Sequence, residues 1–176
     1  DRFGVKWVGG ETLSVAIGQG FLQVTPIQMA VLVSALVNNG MVMEPRIALR
    51  AQSFEGTLKK PYPSKVRKTF TMDPDAQHRI IQALQDVVNA PGGTAYWSAR
   101  SELVKIGGKT GTAQVVSLKS RKKLNDHAWF VAFAPVDKPE IVVSSIVEYG
   151  GHGGTTAAPI AKKIIETYFG GTHEGQ

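Results

Sequence analysis

Residues 107–114 read GGKTGTAQ, a cation and two hydroxyls set among glycines and running into an apolar pair, Val115-Val116. Three chemistries fit such a string. A phosphate loop is the first, because Gly108-Lys109-Thr110 matches the end of a Walker A pattern. That pattern needs a glycine five positions earlier, where this chain has Leu103, and a helix to follow, where AQVVSL reads as a strand. The phosphate reading fails on both counts. A plain turn is the second. The third is the rim of an acyl-transfer groove. An acyl donor ending in a carboxylate is held by a cation and hydroxyls, which Lys109, Thr110 and Thr112 supply. Its tetrahedral intermediate needs backbone N–H donors. Gly111 admits the close approach of a substrate backbone, as in strand addition.

Other chemistry-bearing residues carry less. His127 and His152 have no carboxylate or second histidine at ligand spacing and are read as structural or surface residues. GGHGGTT, before the last helix, lacks a lysine after its glycines and reads as a strand-to-helix turn rather than an anion loop. Tyr96 and Trp97 are read as packing residues. The basic run Leu118–Lys123 (LKSRKK) has no interleaved aromatics for base stacking, so it reads as a solvated loop and not a nucleic-acid site.

The elements that must position these residues follow from periodicity. Thr25, Pro26 and Gln28 form an N-cap, a first-turn proline and a capping box, opening an almost wholly apolar helix that Asn39-Gly40 ends. Such a helix is expected to be buried. Residues 1–22 are glycine-rich without a clear period. Residues 41–72, basic and containing Pro45, Pro61 and Pro63, predict short exposed strands. Asp73-Pro74 opens a second helix with a stripe of Ile80, Ile81, Leu84, Val87 and Val88, ended by Ala90–Gly93. Thr94 is then placed to cap a short helix, AYWSAR.

From Lys105 the pattern becomes strands: KTGTAQVVSL, HAWFVAFAP and IVVSSIVEY, joined by short connections that favour an antiparallel meander. The middle strand is apolar on both faces and must be covered on both. A final helix, APIAKKIIETYF, offers Ile160, Ile164, Ile165 and Tyr168 as its covering stripe. The fold class is therefore α/β, of the α+β type, an antiparallel sheet flanked by helices.

Composition bounds the rest. The 176 residues are 43% hydrophobic and 19% charged, typical of a globular chain with a real core. No cysteine is present, which excludes disulfides and thiolate metal sites. No uninterrupted apolar run, Met29–Val33 included, approaches the roughly 20 residues that span a bilayer. A net charge of +6 favours an anionic partner or simply solubility. The chain opens on DRFGVKW without a methionine or signal peptide, and is expected to be a piece of something longer.

Five segments in order, Gly10–Ala30, Pro91–Arg100, Gly107–Val115, His127–Pro135 and Ala157–Ile164, together resemble the class B penicillin-binding proteins, and within them the elongation-type transpeptidases. Lys-Thr-Gly is the third signature motif of that family. The resemblance implies a serine-type D,D-transpeptidase that uses no metal or cofactor. Its ligands would be peptidoglycan stem peptides ending in D-Ala-D-Ala, and β-lactams. It would act on the outer face of the bacterial cytoplasmic membrane, through an anchor not in this chain.

It further implies that Lys109 sits beside the serine's proton network and attracts the terminal carboxylate. Thr110 and Thr112 would bond that carboxylate, the Thr112 amide would be an oxyanion donor, and Gly111 would keep the strand edge open. The family's first two motifs, Ser-x-x-Lys and Ser-x-Asn, precede the third. Here no Ser-x-Asn exists, and the one Ser-x-x-Lys string, Ser120–Lys123, follows the third motif and is read as coincidence. The expectation is the C-terminal part of one transpeptidase domain, helical over 1–104 and sheet plus C-terminal helix over 105–170, without its nucleophile and inactive alone. Its uncovered surfaces would meet the rest of the domain or a second copy. A non-catalytic binding module for a wall peptide or partner protein, or part of a serine β-lactamase or D,D-carboxypeptidase, are the alternatives.

Overall fold

The computed structural model describes residue 4 and residues 6–20, 22–115 and 125–170. At its centre is a three-stranded antiparallel meander of β5 (Gly107–Ala113), β6 (His127–Ala134) and β7 (Ile141–Val147), in the order β5-β6-β7. Antiparallel pairing follows from the short connections, and the double-sided apolarity of β6 from its central place. Ala128, Phe130, Ala132 and Ala134 face one core cluster; Val131 and Phe133 face another.

Helix α5 (Gly153–Gly170) covers the first face, together with α4 (Tyr96–Ala99) and the C-terminal turns of α3 (Pro74–Asn89). Helix α2 (Pro26–Val37), with Ile81 and Leu84 of α3, covers the second. The local signals that opened these helices hold. The Thr25 hydroxyl accepts from the Gln28 amide at 3.3 Å while the Gln28 side chain accepts from the Thr25 amide at 2.8 Å. The Asp73 carboxylate accepts from the Ala76 amide at 2.9 Å. Gly40 takes the left-handed backbone, φ +80°. Two small two-stranded antiparallel sheets, β1 (Met41–Met43) with β4 (Val66–Thr69) and β2 (Arg50–Gln52) with β3 (Leu58–Pro61), fill the proline-rich excursion as short, largely exposed strands.

Four expectations need correction. Residues Gly9–Ala16 form a helix, α1, which no period announced because none of its residues is buried. Helix α2 is not buried all round: only Val33 and Ala35 are, whereas Ile27 is 55% and Leu32 58% exposed. Part of its apolar surface, Ile27 and Leu32 included, is therefore left uncovered among the described residues. Helix α5 presents a different stripe from the one its large residues suggested. Ala157, Ala158, Ala161 and Ile165 are buried, and Ile160, Ile164 and Tyr168 face outward. Small residues win because the helix lies close on the sheet; the Ser145 hydroxyl of β7 bridges the gap by donating to the Ala157 carbonyl at 3.0 Å. Finally, Ile80 is exposed, so the α3 stripe starts at Ile81.

Candidate active site

Strand β5 carries Lys109, Thr110, Gly111 and Thr112 and is an edge strand, paired with β6 alone among the described residues. Which of its peptide groups face outward can be worked out from its partners. In an extended strand the N–H and C=O of one residue point to the same side, and successive residues alternate. Just before the strand, the Lys105 carbonyl accepts from the Val136 amide at 3.0 Å, on the β6 side. The Ile106 carbonyl accepts from Asn89 Nδ2 of α3 at 2.7 Å, away from β6. The Thr110 carbonyl accepts from Lys109 Nζ at 2.7 Å, and the Thr112 carbonyl from Gln19 Nε2 at 3.1 Å. Even-numbered residues therefore present their polar backbone outward. The amide N–H groups of Thr110 and Thr112 lie on the open edge, while Lys109 and Gly111 pair across to Val131 and Trp129.

Side chains alternate between the faces. Directly paired residues of antiparallel strands share a face, so Thr110 and Thr112 lie with Phe130 and Ala128, toward α5, and Lys109 with Val131, toward α2. The ammonium still reaches the edge, because the flexible lysine stem folds it back to the Thr110 carbonyl. Lys109 is exposed, and Thr110, Gly111 and Thr112 are half-buried. The structure thus gathers a cation, two hydroxyls and two outward amides along one short stretch of open strand.

Several residues that support this edge carried no obvious chemical signal. The hydroxyls of Thr94 and Thr110 are 2.8 Å apart and share one hydrogen bond. Thr94 thus does not cap α4, whose N-cap is Ala95. The glycines of GGHGGTT do more than turn the chain. Gly153 and Gly154 open α5 directly behind the site: a Cβ on Gly153 would overlap the carbonyl oxygens of Trp129 and Gly111, and one on Gly154 would overlap that of Thr94. Bare backbone is required there because the helix start and the strand are in contact. Gln19 sits between Gly18 and Gly20, both at φ +75°. Its glycine bracket was visible in AIGQGF, but its partner is 93 residues away.

The remaining candidates separate cleanly. His127 is structural: its Nδ1 accepts from the Tyr149 amide at 2.9 Å, and its ring meets the Tyr149 ring edge-on at 4.9 Å. Tyr96 packs edge-on with Trp97 at 4.9 Å and its hydroxyl accepts from Arg100 at 2.9 Å. Trp97 is otherwise not a packing residue, being 94% exposed. The whole basic run Leu118–Lys123, Ser120–Lys123 included, lies outside the described residues.

Comparison with known proteins bears on the family and the fold. Residues 2–166 match the penicillin binding protein transpeptidase domain. The peptidoglycan D,D-transpeptidase MrdA of Haemophilus influenzae is 38% identical over 178 residues, covering 95% of this chain and 27% of that relative. The structure of Pseudomonas aeruginosa PBP2 in complex with WCK 5153 superposes with a TM-score of 0.74 at 35% identity, over 92% of this chain and 34% of that one. The ceftriaxone acyl-enzyme complex of penicillin-binding protein A from M. tuberculosis gives a TM-score of 0.74 at 25% identity, over 87% of this chain and 34% of that one. The chain therefore spans little more than a quarter of the curated relative's length. With a matched core, a Lys-Thr-Gly edge strand and this extent of similarity, the chain belongs to the penicillin-binding protein transpeptidase domain family.

Proposed function

We propose that this chain is the C-terminal portion of a peptidoglycan D,D-transpeptidase domain, with α1 to α4 and the two small sheets over 1–104 and its main sheet and last helix over 105–170, and that the nucleophilic serine lies in preceding sequence. The serine oxygen attacks the carbonyl carbon of the penultimate D-Ala. The bond to the terminal D-Ala breaks, that residue leaves as the free amino acid with the proton, and an amine of a second stem peptide resolves the ester. The observation that carries this reading is the outward amide of Thr112 on an unpaired strand edge, where a developing oxyanion can take a hydrogen bond.

Each residue of the edge then has one task. Lys109 attracts the terminal carboxylate and borders the serine's proton network. Thr112 gives that carboxylate a hydroxyl. Thr110 gives a second when Thr94 is the donor of their shared bond, because the Thr110 proton is then free. Gly111 keeps the edge open to a stem peptide lying alongside. β-Lactams, whose carboxylate and strained carbonyl present the same groups, acylate the same serine. The exposed apolar residues of α2, Ile27 and Leu32 among them, and the outer edge of β7 are the surfaces that the preceding part of the domain, or a second copy, covers. The enzyme acts outside the cytoplasmic membrane; no described helix is long and apolar enough to cross one.

Intact-mass measurement after incubation with penicillin tests this. The complete domain is expected to gain one stable adduct, and Lys109→Ala to slow its formation by at least about 100-fold. The 176-residue chain alone is expected to gain none. An adduct on that chain alone, or full-rate acylation of Lys109→Ala, overturns the proposal.

A further inference from the structure

The glycine-bracketed Gln19 has no part in the scheme above, yet it is the residue that holds the outer end of the candidate edge. After α1 the chain makes a compact turn: the Gly18 amide donates to the Val15 carbonyl and the Gln19 amide to the Ser14 carbonyl, each at 2.9 Å. Gly18 and Gly20 both take the left-handed backbone, and a Cβ on Gly20 would press on Ser14 Cβ at 3.2 Å. Ordinary residues are disfavoured on both sides of Gln19. The turn thus fixes the direction of one side chain, which donates its amide to the Thr112 carbonyl at 3.1 Å in a half-buried contact.

We infer that Gln19 is a positioning residue for the acyl-transfer site, pinning the Thr112 carbonyl so that the Thr112 amide stays on the open edge, aimed at the oxyanion. The inference rests on the proposed function. The mechanics follow from the strand. Thr112 follows a glycine and is one residue from the end of β5 at Ala113. Gly111 has no side chain to resist rotation of the Gly111–Thr112 peptide. The carbonyl and amide that flank the Thr112 Cα point the same way only while the backbone there stays extended. An external donor on the carbonyl holds that conformation where the ladder is running out. Because a carbonyl oxygen has two lone pairs, the N–H of a bound peptide can share it with Gln19, so the pin need not be displaced by substrate.

Such a residue acts on the chemical step and not on ground-state binding, since the oxyanion exists only after attack. The test is the acylation of the complete transpeptidase domain by penicillin, with the rate at saturation and the half-saturating concentration measured separately. Gln19→Met keeps the side chain's length and removes the donor. It is expected to lower the saturating rate by about twofold to tenfold, the range one lost hydrogen bond spans, with half-saturation unchanged and an unchanged melting temperature. Gly20→Ala keeps the donor but spoils its aim, and is expected to shift the same parameter in the same direction. An unchanged saturating rate in Gln19→Met, or a loss confined to half-saturation, overturns the inference. If the parent domain is not acylated at all, the proposed function fails first and the role of Gln19 falls with it.

Discussion

The contact between the start of α5 and the back of β5 makes Gly153→Ala an informative substitution. The added methyl would overlap the carbonyl oxygens of Trp129 and Gly111 and lie 3.0 Å from the Gly111 nitrogen. All three are backbone atoms of paired strands, so no rotamer change relieves the overlap. Helix and sheet must separate by about an ångström over the buried residues Ala157, Ala158 and Ala161. Overpacking a tight core costs about 3 kcal/mol at the upper end of its usual range. Alanine's better helix propensity returns about 1 kcal/mol, leaving a net loss of about 2 kcal/mol. For a chain of this size that lowers the melting temperature by about 4–8 °C.

The natural control is Gly10→Ala in α1, where a Cβ meets nothing within 4 Å. There propensity acts alone, and the melting temperature is expected to hold or rise by a few degrees. Thermal denaturation followed by circular dichroism at 222 nm reads both. Equal melting temperatures for Gly153→Ala and the parent would refute the claim that this glycine exists for contact and not for turning.

Two further outcomes follow from the hydrogen bonds that surround the edge. Asn89 donates to both Gln85 and the buried Ile106 carbonyl, so Asn89→Ala leaves a desolvated acceptor and is expected to cost about 1–3 kcal/mol, read by urea denaturation. Thr94→Val removes the partner of the Thr110 hydroxyl at an exposed site and is expected to cost about 1 kcal/mol or less, with Thr94→Ser restoring it.

Local signals were the legible ones. The Thr25-Pro26-Gln28 and Asp73-Pro74 starts depend on residues three apart, and both are present as read. The covered middle strand followed from apolarity on both faces of residues 129–134, and the meander from short connections. The fold class and the Lys-Thr-Gly edge were therefore available from sequence. What escaped depends on distance or on closeness. Helix α1 buries nothing, so it leaves no stripe. The sheet-facing side of α5 was misassigned because hydrophobic size favoured Ile160 and Ile164, whereas the narrow gap to β6 selects Ala157, Ala158 and Ala161. Helix α2 reads as buried because its sequence is apolar all round, yet only Val33 and Ala35 are buried and Ile27 and Leu32 are left exposed. The Gln19–Thr112 and Thr94–Thr110 pairs join residues whose sequence separation gives no local clue.

The alternation of outward and inward peptide groups along β5 also limits how such a chain can change length. Whether Thr110 and Thr112 offer their amides to a ligand depends on parity counted from the pairing with β6. Deleting one residue between Lys105 and Gly108 while the pairing slides to compensate would turn those amides into the ladder and bring Lys109 and Gly111 to the rim. Two residues would restore parity but carry the motif about 7 Å along the edge, away from Gln19 and Thr94. Neither change leaves a working edge. Insertions and deletions in this lineage should therefore collect in connections such as 148–152, where no parity is kept, and spare the strand even at positions that touch no ligand.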